Sequence, residues 1–364
     1  MIKSLRIQHF KCFQDERLAL GPLTVIVGAN GVGKSSLLQS LLLAQQALET
    51  PGDHVRLNGP FFLALGTTTD VLCQTNEARA GIDIELTLDD GKAHLFQLEE
   101  RKKEPFILHI EKRPDGLLPL DLTYLDAERV GPRDTLEIDT TASRARNVGV
   151  RGEFTAQVLS ELDMTRVREA LRHPRTAEAG IQLGKQVELW LSDIAPGIEV
   201  RANAFAGTNV SAIRLKRGGL MTEWLRPPNI GFGVSYALPV IVGGLLTRPG
   251  GLFLVENPEA HLHPAGQSRM GRFIATLAAS GVQVLVETHS DHVLNGILLA
   301  SVDAGHPLRH DQVLIQYFHG DQDRDQRAEP ITVDARGGLS SWPAGFFDQS
   351  EKDMAAILEA RRRA

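Results

Sequence analysis

Cysteine is almost missing from this 364-residue chain. Only Cys12 and Cys73 occur, neither in a CxxC pair, which excludes a disulfide framework and a cysteine zinc site. Long apolar runs are missing too. The longest, residues 237–246, is broken by Pro239 and two glycines and falls short of the roughly 18 residues a membrane span needs. The opening MIKSLRIQHFKCF alternates basic and apolar residues, unlike a secretory leader, so a reducing cytoplasm is the expected compartment. There is no surplus of positive charge. At a net charge of -6 the chain has no whole-molecule attraction for nucleic acid, and any such contact needs a local patch or a partner. No tandem repeat or sustained heptad occurs, which excludes a long helical arm.

What is present is globular composition, 42% hydrophobic and 23% charged, enough for one large domain or two lobes. The opening 80 residues hold an apolar strand at 23–27, a glycine-rich turn and an apolar-periodic helix from Lys34 to about Gln46. Period-2 alternation with turns at Asp89-Asp90-Gly91 and Arg113-Pro-Asp-Gly116 predicts an antiparallel meander over 81–126. Helical spacing predicts a small helical lobe over 150–197, ended by Pro196-Gly197. Over 229–320 a helix from Ser235 leads into strands at 252–255, 282–286 and 313–318 that alternate with helices. That order predicts an α/β fold with a three-layer core and a mainly parallel sheet. A tail occupies 330–364.

Gly28-Ala-Asn-Gly-Val-Gly33-Lys34-Ser35 fits GxxxxGK[ST] between a strand and a helix, the context a phosphate-binding loop requires. The glycines let backbone N–H groups of Asn30, Gly31, Val32, Gly33 and the following Ser35 and Ser36 converge on phosphate. Lys34 is expected to neutralise the β- and γ-phosphates of ATP, and Ser35 to ligate Mg²⁺. The apolar strand 252–255 ends in Glu256-Asn257-Pro258-Glu259. At the carboxyl edge of a parallel sheet Glu256 faces the same crevice and is a candidate Mg²⁺ ligand. The strand 282–286 repeats the design and ends in Glu287-Thr288-His289, with His289 placed to sense a γ-phosphate.

Together these segments resemble the ABC-type ATPase heads of the SMC, RecF and OLD-like group, and within it the small bacterial AAA-family ATPases with a DUF3696 tail. IKSLRIQHFKCF, the Walker A loop, ENPEAHLHP, ETHSDH and GGLSSWPAGFFDQ carry the likeness across nearly the whole chain. The resemblance implies that Glu256 is the Walker B carboxylate, that residues 261–264 form the D-loop region, and that His289 is the switch histidine. It also implies that Gly231, Gly233 and Ser235 form a degenerate signature binding the γ-phosphate held by a second copy. The expected assembly is a homodimer around ATP and Mg²⁺, open to higher oligomers. Its expected role is DNA maintenance or antiphage defence through a separately encoded effector such as a nuclease, with direct DNA contact left open.

At Asn257 the sequence departs from the general ABC pattern, which places a water-orienting glutamate there, although the related small ATPases also carry ENPE. An amide takes no proton, so Glu259 becomes the alternative base, and a nucleotide-gated scaffold with little hydrolysis becomes the rival reading. Gln74 is the candidate for the Q-loop glutamine. Three further clusters are weaker: Asp321, Asp323 and Asp325 read as a solvated turn rather than a nuclease site. His261 and His263 lack further zinc ligands, and Arg129, Arg133, Arg144, Arg146 and Arg151 form either a phosphate-backbone patch or an ion-paired loop.

Overall fold

The computed structural model of the chain describes residues 1–73, 81–101, 103–117, 119–140, 147–218, 223–320 and 327–363. The chain opens with a hairpin, β1 (Ile2–Phe10) and β2 (Phe13–Ala19), whose alternation turns Leu5, Ile7 and Leu18 inward. Next come β3 (Leu23–Gly28), α1 (Lys34–Glu49), β4 (His54–Arg56) and the one-turn α2 (Thr68–Val71). β5 (Gly81–Leu88), β6 (Ala93–Glu99) and β7 (Ile107–Lys112) complete an antiparallel sheet in the order β2-β1-β5-β6-β7-β4.

Two expected boundaries shift. The opening strands do not stay with the phosphate loop in a separate 1–80 lobe, because β1 pairs with β5. β8 (Leu122–Leu125), expected to close the meander over 81–126, instead runs parallel to β12 (Leu252–Glu256). Local alternation reveals a strand but not its neighbour, and these neighbours come from distant parts of the chain. Arg113, expected in a hairpin turn, reaches to α1 and donates to the carbonyls of Ala47, Thr50 and Gly52.

Beyond β8, β9 (Leu136–Glu137), α3 (Thr155–Leu162), α4 (Thr176–Ala179), α5 (Leu183–Ile194), β10 (Ile198–Ala204) and β11 (Val210–Arg217) form the helical lobe and a small β10-β11-β9 sheet. Trp190 of α5 meets Phe273 edge-on at 5.1 Å, so this lobe shares the core of the helical layer. The last third alternates α6 (Phe232–Leu246), β12, α7 (Pro264–Ala279), β13 (Gln283–Glu287), α8 (Asp291–Val302) and β14 (Val313–Phe318). It ends with β15 (Ala328–Thr332) and α9 (Gln349–Arg363).

The central sheet has the order β15-β14-β3-β13-β12-β8, parallel except for β15. Its strands are apolar on both faces because both faces are covered. Val25, Val255 and Val286 pack with α6, α7 and α8, while Ile26, Leu254 and Leu285 pack with α1 and the antiparallel sheet. The expected three-layer α/β core is therefore present, and the carboxyl ends of β3, β12 and β13 share one edge. Among the described residues no helix is long and apolar enough to cross a membrane.

Candidate functional site

β3 delivers the phosphate loop at Gly28, where φ is +144° and an added Cβ would lie 2.4 Å from the Phe318 carbonyl oxygen. Gly33, at φ +115°, would drive a Cβ to 2.6 Å from Cys12 Sγ. Only glycine fits at both positions, and both allow the loop to curl tightly over the start of α1. Among the described residues no side chain caps α1, so its first N–H groups stay available to an anion. Asn30, Gly31, Gly33, Lys34, Ser35 and Ser36 line an open cleft, whereas the Val32 side chain turns into the core below. Lys34 Nζ donates to the carbonyl oxygens of Gly28 at 3.0 Å and Ala29 at 2.5 Å, and burial holds its pKa below the usual lysine range.

The parallel register of β12 and β13 sets Glu256 beside Glu287. Glu287 accepts from the Ser35 hydroxyl at 3.0 Å, and Glu256 accepts from the Tyr124 hydroxyl at 2.7 Å. Burial, reinforced by repulsion from Glu287, pushes the Glu256 carboxyl up to about 8. Glu287 is also raised by burial, against the pull of Lys34 and Ser35. The turn after β12 is gripped by Arg129, 2% exposed, whose Nη1 donates to the carbonyls of Asp126 (2.9 Å) and Glu256 (2.6 Å) and whose Nη2 donates to that of Asn257 (2.6 Å). Burial lowers its pKa to about 10, which still leaves a cation at neutral pH.

Asn257 sits at φ +44°, a left-handed conformation asparagine tolerates, and its backbone N–H reaches the Glu287 carbonyl at 2.8 Å. Its side chain borders the cleft, and its buried Oδ1 has no donor among the described residues. Glu259 is held just behind the cleft wall, against the segment that bears His289. It is not among the cleft-lining residues, and its two oxygens accept from Thr288 Oγ1 and His289 N–H, each at 2.8 Å. It therefore ties the turn after β12 to the segment after β13. His289 opens to the cleft, and partial desolvation by the cleft wall, with the Lys34 charge, lowers its pKa.

Gly231, Gly233 and Ser235 lie at the start of α6 and line no part of this cleft. The Phe232 and Tyr236 rings contact His261 at 5.4 and 4.6 Å between centroids, so the signature-like segment and the D-loop region form one surface. His263 caps α7, accepting from Ala265 N–H. Among the described residues no three His, Cys, Asp or Glu side chains gather into a metal cage. Gln74, Arg144, Arg146 and the three aspartates at 321, 323 and 325 lie outside the described residues.

Residues 23–295 match the family described as "AAA domain, putative AbiEii toxin, Type IV TA system". The chain belongs to this AAA family. Residues 308–357 match DUF3696, a protein family of unknown function. The OLD nuclease of Thermus scotoductus is 23% identical over 354 residues, covering 87% of this chain and 64% of that protein. The Old nuclease of Escherichia phage P2 is 20% identical over 336 residues, covering 81% and 57%. The chain thus spans less than two thirds of the length of these relatives. In solved structures the fold matches an Smc head domain with an extended coiled coil, from Pyrococcus furiosus, bound to the C-terminal domain of ScpA. That match has a TM-score of 0.52 at 13% identity and covers 99% of both chains. An Smc head bound to the C-winged helix domain of ScpA matches at 0.50 and 12%, covering 96% and 99%. The AAA-family chain therefore has the fold of an ABC-type ATPase head.

Two residues of the AAA-family site were not assigned from sequence. Glu287 was legible as the second strand-terminal carboxylate. Arg129 was hidden in a basic stretch that the fold splits apart, since Arg151 pairs with Glu128 at 3.0 Å while Arg129 is buried.

The raised carboxylates give a pH signature. Neutral Glu256 contributes stability that is fully present below the ordinary carboxylate range and is lost as pH rises through about 8. The denaturation midpoint of nucleotide-free protein is expected to fall between pH 5.5 and 8.5, and Glu256→Gln to flatten that fall. An equal slope in both proteins would remove Glu256 as its source.

Proposed function

We propose that this chain is an ATPase whose two copies close head to tail around two molecules of Mg-ATP, and that nucleotide state is passed to a separately encoded effector, a nuclease, in DNA maintenance or antiphage defence. The observation that carries the reading is that the cleft is one-sided. The phosphate loop, both buried carboxylates and His289 meet at one edge, while the segment with Gly231, Gly233 and Ser235 faces elsewhere and suits a neighbour's nucleotide. The relatedness to OLD nucleases supports the nucleic-acid side of the proposal.

The donors for Mg²⁺ are oxygens only, the Ser35 hydroxyl and the Glu256–Glu287 pair. They fit a hard cation completed by phosphate and water. That ion, when bound, would neutralise charge on the β- and γ-phosphates. Lys34 would leave the carbonyls of Gly28 and Ala29 for the phosphates, and His289 would meet the γ-phosphate across the cleft. Asn257 can orient a water but takes no proton. Each Glu259 oxygen accepts one hydrogen bond and keeps a further lone pair, so Glu259, held against Thr288 and His289, is the proposed proton acceptor. Closure on ATP and reopening after hydrolysis would form the switch.

A scaffold that binds ATP and hardly cleaves it is the second reading, favoured by Asn257. The test is steady-state and single-turnover ATP hydrolysis, with and without duplex DNA, alongside light scattering. Turnover above the Lys34→Ala blank with ATP-dependent dimers is expected. Dimers without single-turnover cleavage would move the chain to the scaffold reading, and monomers at saturating ATP would overturn the shared site.

A further inference from the structure

We propose that Arg133 acts in trans, reaching the γ-phosphate held by the second copy's phosphate loop beside Ser235. The inference rests on the shared-site reading above. Four observations carry it. Arg133 and Ser235 line the same small cleft, at the start of α6. Arg133 is exposed and makes no ion pair or side-chain hydrogen bond among the described residues. Asp134, next to it in sequence, is already paired with Arg226 at 2.8 Å. The loop that bears it is fixed at several points. Arg129 anchors one end to the turn after β12, Val130 N–H donates to the Arg151 carbonyl at 2.7 Å, and Gly131 lies against the Phe232 ring.

This placement gives the arginine a specific chemistry. A planar guanidinium offers a fork of N–H donors suited to phosphate oxygens, and an unpaired one need break no ion pair to engage them. Charge spread over the γ-phosphoryl oxygens during transfer is what such a cation stabilises. The loop also links two sites, because Arg129 holds its own chain's Asn257 carbonyl while Arg133, four positions on, faces the neighbour's nucleotide. Engagement of Arg133 would thus be felt at the turn that carries the protein's own water-orienting residue.

Mixed dimers test the inference. Arg133→Ala and Arg133→Gln are each expected to lower the single-turnover rate at least about tenfold with ATP affinity unchanged, and Arg133→Lys to recover only part. Mixing Arg133→Ala with Lys34→Ala protein should restore hydrolysis, since one site of each mixed pair then has an intact lysine from one copy and an intact arginine from the other. If turnover is too slow to read, dimer formation on a non-hydrolysable ATP analogue, measured by sedimentation, should be weakened about tenfold by the same variants. Recovery from Ser235→Ala mixed with Lys34→Ala, but none from the Arg133 mixture, overturns the role of Arg133 and leaves the shared site standing. Recovery from neither overturns the shared site itself. A loss of duplex DNA binding with unchanged hydrolysis would make Arg133 a nucleic-acid contact and overturn the inference.

Discussion

Lys34→Ala is expected to abolish measurable ATP binding and bring hydrolysis to the blank. The ammonium is buried and already aimed across the loop, held on the carbonyls of Gly28 and Ala29 where the loop begins. Phosphate offers it a stronger, charged acceptor, so its position is prepared and little ordering is needed on binding. Without it the cleft keeps two buried carboxylates facing a highly anionic ligand with no side-chain cation of the loop between them. A loss of affinity of about 100-fold or more is expected, about 2.7 kcal/mol or more at 25 °C. Titration calorimetry with ATP checks this, and a circular dichroism spectrum matching wild type separates lost binding from lost fold. Undiminished affinity in a folded variant would sink the assignment of the loop.

Arg129→Leu should give the largest loss of stability among single changes at the site. Leucine fills part of the volume but takes the guanidinium from three carbonyls in a buried turn, those of Asp126, Glu256 and Asn257, of which Asn257 keeps the Ala260 N–H at 3.1 Å. At about 1 kcal/mol or more for each acceptor stripped of its partner, the expected cost is about 2 kcal/mol or more. The leucine variant also frees the turn that fixes Glu256 and Asn257, so hydrolysis should fall further than ATP affinity. Arg129→Lys should rescue little, because one ammonium cannot span the carbonyls that the guanidinium fork bridges. Guanidinium denaturation reads the first effect and single-turnover hydrolysis the second. A variant as stable as wild type would mean that the clamp is redundant with the β8–β12 pairing.

The phosphate loop, the three-layer core and the placement of His289 were legible because each depends on local pattern: glycines at set spacing, strands apolar on both faces, polar residues where a strand ends. Residues whose meaning depends on a distant partner were not legible in the same way. β8 carries an alternation that would serve either sheet, and only the far-off β12 decides between them. Arg129 and Arg151 look alike in sequence, yet one is enclosed by backbone carbonyls and the other faces acidic side chains at the surface. Glu259 was plausible as a base on spacing alone, and hydrogen bonds to Thr288 and His289, a strand away, add a holding role.

The position of β3 in the central sheet also bears on how the molecule is made. Its two neighbours, β13 and β14, lie more than 250 residues later in the chain, and β13 and β14 themselves border β3 from opposite sides. During synthesis at about 5–20 residues per second, the nucleotide loop therefore leaves the ribosome on a strand with no edge to pair with, and it waits tens of seconds for both. In that interval its two apolar faces, Val25 and Val27 on one and Ile26 on the other, are open to whatever they meet. The AAA-family head is thus expected to depend on chaperones during translation, and a ribosome halted before residue 313 should carry no ATP-binding competence.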